Sequence, residues 1–377
     1  MPDTEKLIFD FTQAFDTKPE IFKTPLTVHL FGGHCDQFEG KSISVNIDSY
    51  FNIAISPRSD YKVKVFMNKE NFETGIFDLG IAVDPWQSCI ENVIGTLLGR
   101  GLSLFGFNMM ILASDECLIN HSFLTALACS LILAVNKMFT IGLSRLKMIN
   151  IFLRSNNYPF VKICQAPTMY LCLLGKKGHC LFIDQKTQHF EFLPLRMTGL
   201  SFLLFDANPE RSHLLEKFRK LNNDSLTAFN LVKSFVLNLQ RLADINTKML
   251  HKYVLPESPS AFQSVKFLLL ENDRTIEAVN YIKAKRFDLF AQELIRSHDD
   301  LISYSEIEDA CFKGVIAEAR KSKMISGYKM LQNGFLCLIS DNNNYKWSNR
   351  AFQTHVWLTG REPSIRKMNI VSGIESF

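Results

Sequence analysis

The sequence predicts an α+β protein of two domains, and three observations carry that prediction. The first half alternates apolar and polar residues in short runs, the mark of half-buried strands. Past Pro209 the apolar period lengthens to that of helices, before strand-like runs return near the end. At 377 residues the chain also exceeds the size at which a single core stops growing.

Taken in order, residues 5–16 read as a first helix. Alternation over Thr27–Leu30, Ile43–Asn46, Asn52–Ser56 and Lys62–Met67 predicts strands, with "SPRSDYK" (56–62) as a hairpin connection. Asp84 and Pro85 open a helix whose Ile90, Val93, Ile94, Leu97 and Leu98 fall on one face. A strand over 108–113 and a buried helix over 123–139 follow, then a short helix at 144–153. Strands are predicted around 169–174 and 180–184, then at 188–195 and 200–206. Residues 210–252 and 260–321 read as helical, and strands are predicted again at 327–330, 334–340 and 354–358. The composition shift places a domain boundary near 195, dividing the chain into 1–195 and 196–377.

Composition narrows the function classes. Hydrophobic residues make up 47% and charged residues 21%, as in ordinary globular proteins. A net charge of +4 over this length gives no footprint for nucleic acid, and "KAKR" (283–286) reads as a solvated helix face. The longest apolar run, Phe123 to Val135, is about half to two-thirds of a membrane span, so no membrane role is expected. Nine cysteines at irregular spacing without a CxxC pair, behind an acidic amphipathic opening, read as reduced thiols of the cytoplasm or nucleus.

Few residues invite chemistry. Cys, His, Asp and Glu show no metal-ligand spacing, so no metal is expected. "GTLLGRGLSLFG" (95–106) is glycine-rich but follows a helix and lacks Gly-Lys-Ser/Thr, which makes helix capping the better reading than a phosphate loop. The pocket-like feature is "VHLFGGHCDQFEG" (28–40), where Gly32, Gly33, His34 and Asp36 close a strand. From the residues alone, a tight strand-end turn with a capping Asp explains it better than a ligand site does.

The chain resembles the galactokinases of the GHMP small-molecule kinases over roughly 10–360. "TPLTVHLFGGHCDQFEG" resembles the family's opening motif, and "DPWQSCIENVIGTLLGRG" its tryptophan-containing helix. "CQAPTMYLCLLGKKGHCLFID", "ENDRTIEAVNYIKAKRFDLFAQELIRSHDDL" and "KMLQNGFLCLIS" are similar to three later segments, in the family's order. The resemblance implies a two-domain GHMP kinase fold, with a ribosomal-protein-S5-domain-2-like N-terminal domain, an α/β C-terminal domain and a ligand cleft between lobes.

It also carries departures. The family's catalytic aspartate falls on Thr168 and its partner arginine on Thr27; loss of a positioned base costs about 10²–10⁴ in rate. The glycine-rich phosphate motif falls on "CLINHSFLTA", where Ile119, Asn120, His121 and Phe123 replace small residues and Thr125 survives from the serine run. Of the third motif, Gly334 and Phe335 remain. His34 and Asp36 match residues that contact sugar hydroxyls, whereas Gly33 and Gln37 replace a glutamate and a tyrosine. These departures imply a catalytically inactive homologue, without nucleotide or other cofactor, acting as a regulatory switch by binding a protein or a small molecule. Degenerate GHMP proteins of this kind are the yeast galactose sensors and the nematode XO-lethal switch of sex determination and dosage compensation. Two alternatives stay open: a sugar sensor without kinase activity, and an active sugar kinase with displaced catalytic residues.

Overall fold

The computed structural model describes residues 2–33, 39–68, 70–114, 117, 122–154, 165–206, 211–305, 310–331, 334–341 and 344–377. In chain order the main elements are α1 (Pro2–Phe15), β1 (Glu20–Phe31), β2 (Lys41–Pro57), β3 (Lys62–Met67), β4 (Glu70–Gly75), α2 (Pro85–Leu98), β5 (Phe107–Leu112), α3 (Phe123–Met138), α4 (Arg145–Leu153), α5 (Ala166–Leu174), β6 (His179–Asp184), β7 (His189–Pro194), β8 (Leu200–Asp206), α6 (Arg211–Phe235), α7 (Pro259–Lys283), α8 (Phe287–Ser305), α9 (Lys313–Lys321), β9 (Ile325–Leu331), β10 (Gly334–Ser340), α10 (Asn344–Thr359), β11 (Ser364–Met368) and β12 (Glu375–Ser376). The mixture is α+β, as the alternation and the helical period require.

The chain divides into two compact units that are not contiguous in sequence. The first comprises 1–27, 45–177 and 370–377; the second comprises 28–44 and 178–369. A single cut near 195 is therefore not how the chain is partitioned: the turn of the β1–β2 hairpin counts with the second unit, and the C-terminal residues with the first.

In the first unit the strands follow the order β12-β1-β2-β5-β3-β4. The C-terminal β12 pairs antiparallel with β1 (Phe22 opposite Ser376), a contact across almost the whole sequence. Leu7 and Phe11 of α1 pack with Ile21 and Ala54. Helix α3 is apolar all round and buried almost throughout, as a helix without a polar face must be. Asp84 and Gln87 form a capping box at the start of α2, with Pro85 inside the first turn. Past its end Gly101 adopts φ +75° and donates to the Leu98 carbonyl, so the glycines there close a helix.

Residues 56–62 are not a hairpin connection. Strand β5 lies between β2 and β3 in the sheet order, pairing antiparallel with β2 and parallel with β3 (Val63 opposite Phe107). Parallel neighbours need a crossover, and α2 provides it. The Gly106 carbonyl accepts from Arg58 N–H at 2.9 Å and the Gly106 N–H donates to Asp60 O at 2.7 Å, which pins the connection without pairing β2 to β3.

Two other segments predicted as strands are helices. Residues 169–174 belong to α5, where Pro167 sits in the first turn and an unbroken apolar run gives no period to distinguish helix from strand. Residues 354–358 belong to α10. Conversely β4, which is mostly polar, gave no strand signal.

The second unit holds a four-stranded antiparallel sheet, β11-β8-β10-β9, whose inner strands β8 and β10 are buried on both faces. Phe205, Phe335 and Cys337 of this sheet share a core with Phe262, Val265 and Leu268 of α7 and with Trp347 of α10. The start of β2 pairs with β6, and β6 with β7. Among the described residues no helix is long and apolar enough to cross a membrane.

Gly327 shows how closely α8 and β9 approach. A Cβ there would lie 2.7 Å from the Ala291 carbonyl oxygen and 2.9 Å from Ala291 Cα, both backbone atoms that cannot swing aside. Gly327→Val is expected to cost about 1–3 kcal/mol through overpacking, a Tm fall of about 2–4 °C per kcal/mol, measured by thermal unfolding in far-UV circular dichroism.

Candidate functional site

In the first unit, β1 brings Thr27 against α5. Thr27 and Thr168, 141 positions apart and both fully buried, have their hydroxyls 2.8 Å apart. Thr168 donates onward to Gln165 Oε1 at 3.2 Å, so Thr27 is the donor to Thr168 and the chain of protons runs toward Gln165. The Thr27 backbone N–H donates to Ser122 Oγ at 3.0 Å, and the Gln165 N–H to Thr125 Oγ1 at 3.1 Å. Thr24 and Ser130 add a further buried hydroxyl pair. The whole string is uncharged, and it ties β1 to the start of α3 and to α5.

The phosphate-motif positions divide. Ile119, Asn120 and His121 lie outside the described residues. Phe123 opens α3 but its ring is buried and meets Phe51 edge-on, centroids 5.1 Å apart. Its bulk is taken up by the core around Phe51. Thr125 is buried and turned toward Gln165.

In the second unit, β1 ends in the turn at Gly32 and Gly33; His34, Asp36 and Gln37 lie outside the described residues. Gly32 has φ +70°, and a Cβ on it would fall 2.0 Å from the Lys41 carbonyl oxygen. No side chain fits there in that left-handed conformation. Behind Gly33 lies His29, fully inside β1, with its Nδ1 2.7 Å from Ser44 Oγ. Gly334 begins β10, where a Cβ would come 2.8 Å from the Phe205 carbonyl oxygen; packing of β10 on β8 explains that glycine.

The strongest electrostatic feature went unread in the sequence. Glu271 of α7 is 0% exposed. Its Oε1 accepts from the Gly32 N–H at 3.1 Å and from Lys329 Nζ at 2.7 Å, and its Oε2 from Arg274 Nη1 at 2.7 Å. Ser297 Oγ lies 2.9 and 2.8 Å from the two oxygens. Burial alone would raise the Glu271 pKa; the charges of Lys329 and Arg274 and the hydrogen bonds outweigh it and hold the carboxyl below its ordinary value. Lys329 also donates to the Leu30 carbonyl at 3.1 Å and lies over the Phe31 ring. Arg274 pairs in turn with Asp300 and Glu293 of α8. A lysine inside the apolar run of β9 was the available signal, because such a residue must find a counter-charge when buried.

Next to this cluster, His298 is fully buried between Tyr328 and Phe335, with Nδ1 accepting from the Met330 N–H at 3.3 Å. Burial lowers its pKa from 6.5 to about 4. Among the described residues no group of three or more His, Cys, Asp or Glu could hold a metal ion.

Two measurements test this geometry. Thr27→Val and Thr168→Val are each expected to cost about 1–3 kcal/mol by leaving a buried partner unsatisfied. The double variant should cost less than the sum by at least about 0.5 kcal/mol in denaturant unfolding, since the two share one hydrogen bond. The second concerns acid. Between pH 6.5 and about 4 the unfolded chain protonates His298 while the folded chain does not, so stability falls as pH falls across that window. The loss reaches about 3 kcal/mol, and His298→Leu removes that slope whatever it does to stability at neutral pH. The Glu271 contribution is fully present above the ordinary carboxyl range and is lost only at lower pH, as the carboxylate itself protonates.

No family model matches the chain. The galactokinase of Thermosipho africanus is 22% identical over 358 residues, covering 93% of this chain and 98% of that protein. Among solved structures, Lactococcus lactis galactokinase complexed with galactose superposes over 100% of both chains with a TM-score of 0.84 at 19% identity. Methanococcus jannaschii mevalonate kinase covers 93% of this chain and 98% of its own, with a TM-score of 0.61 at 14% identity. The expectation that the chain is not an enzyme and has lost its kinase motifs is corrected by these likenesses: relatives matching nearly end to end are galactokinases, and they point to an enzyme. The architecture is the mixed α+β fold of the GHMP kinases, in the form found in galactokinase.

Proposed function

We propose that the protein is a sugar kinase of the galactokinase type, transferring the terminal phosphoryl group of ATP to a hydroxyl of a small carbohydrate. The observation that carries the reading is the end-to-end likeness to a galactokinase in complex with galactose, at a TM-score of 0.84. A likeness confined to one unit would support a borrowed scaffold; this one extends over every element of both units.

The neutral Thr27–Thr168 pair bears on rate more than on reaction class. Phosphoryl transfer asks little covalent chemistry of the protein and depends on positioning and on stabilising phosphate charge. A general base adds about 10²–10⁴, so a site with hydroxyls in that place turns over slowly. Ser122 and Thr125 sit at the start of the 16-residue helix α3, whose first N–H groups and dipole favour an anion. The Phe123 ring itself packs on Phe51.

The test is transfer from labelled Mg-ATP to a panel of hexoses and hexosamines, galactose first. The expected result is acceptor-dependent sugar phosphate at a rate about 10²–10⁴ below a base-containing galactokinase in the same buffer. Mg-ATP alone, at 100 times its dissociation constant, should stabilise the fold by about 2.7 kcal/mol and raise Tm by several degrees over magnesium and salt. Absence of both the transfer and the shift sinks the proposal.

A further inference from the structure

The turn that follows β1 is held at both ends by two adjacent residues of one helix. Glu271 accepts the Gly32 N–H at 3.1 Å, and its neighbour Asn272 accepts the Lys41 N–H through Oδ1 at 2.6 Å. Gly32 is the last step out of β1 and Lys41 the first residue of β2, so α7 grips both ends of the same hairpin loop. The ends are also locked on each other: only a glycine at 32 lets the backbone pass the Lys41 carbonyl. Lys329 makes the grip three-sided by joining Glu271 to the Leu30 carbonyl.

Neither contact is needed to fold α7. That helix has its own start, with Ser258 accepting from the Ala261 N–H and Pro259 in the first turn, and its own apolar face in Phe262, Val265 and Leu268. Nor do they complete the hairpin, whose β2 end is already paired with β6 from Lys41 opposite Asp184 to Ser44 opposite Leu181. A buried carboxylate that draws on a lysine, an arginine and a serine and still spends one oxygen on a backbone N–H in a turn fixes where that turn stands.

We propose that Glu271 and Asn272 are positioning residues: a two-point clamp that sets the Gly32 turn and, through it, the affinity for the acceptor sugar, leaving the nucleotide side untouched. The assignment of the turn to acceptor binding rests on the sugar-kinase reading; the clamp itself does not. Glu271 is the stronger point, but its removal strands Lys329 and Arg274 inside the protein and threatens the fold. Asn272 is half-buried and carries no charge, so it is the variant to make.

The experiment compares the wild type with Asn272→Ala and Asn272→Asp, the latter keeping an oxygen that accepts the Lys41 N–H. Two readouts are taken: amide exchange at Gly32 and Lys41 in the ligand-free protein, and steady-state kinetics with galactose and Mg-ATP. The clamp predicts exchange at Lys41 faster by about tenfold in Asn272→Ala, with Asn272→Asp near the wild type. It also predicts a several-fold rise in KM for galactose in Asn272→Ala, rescued in Asn272→Asp, while KM for ATP holds. Unchanged exchange at Lys41 overturns the clamp. Faster exchange with an unchanged galactose KM overturns its role in acceptor affinity. If the wild type phosphorylates no acceptor in the panel, the kinase reading fails by itself, and the ligand-free exchange still decides whether the clamp exists.

Discussion

One ionised carboxylate without access to water organises the second unit. Taking Glu271 out of solvent costs several kcal/mol, and leaving it unpaired would cost about 3–5 kcal/mol, a large part of a domain's net stability. The fold meets that cost with Lys329 and Arg274, one from a strand and one from the same helix, and with Ser297 from the neighbouring helix. Two of these donors have other work: Lys329 holds the Leu30 carbonyl, and Arg274 pairs with Asp300 of α8. The carboxylate therefore ties α7, α8, β9 and the end of β1 into one set of mutually dependent positions. The set reaches the backbone of β1 at the Leu30 carbonyl and at the Gly32 N–H, and the glycine at 32 follows from the close passage of the Lys41 carbonyl.

In the first unit the buried hydroxyl string around Thr27 is satisfied without charge. Thr27, Thr168, Ser122, Thr125 and Gln165 satisfy one another through hydroxyl, amide and backbone hydrogen bonds, each with a modest net value. A carboxylate and a guanidinium buried in the places of Thr168 and Thr27 would carry a larger desolvation cost. The neutral arrangement avoids that cost and connects β1 to α5 residue to residue.

Where local pattern and tertiary structure part, the physical origin is shared. Residues 169–174 are apolar on every side, so neither a two-residue nor a 3.6-residue period could show, and burial of α5 on all faces is a tertiary fact. The polar loop at 56–62 has the composition of a hairpin turn, yet strand order is set by where α2 returns the chain, and β5 takes the place beside β2.

By itself the sequence determined the α+β class, most of the elements and the correspondence that sets Thr27 opposite Thr168. Those depend on local periodicity and on motif order, both written along the chain. It also determined that a glycine-rich turn would follow β1, since only glycine tolerates that backbone. Tertiary structure decided the partition into units, with β12 returning to β1, and it decided the fate of the buried charges. An Glu271–Arg274 spacing on a helix reads equally as a solvated pair, and Lys329 as an exposed strand residue. Which of them loses its water depends on how α7, α8 and β9 pack, and that packing joins residues hundreds of positions apart.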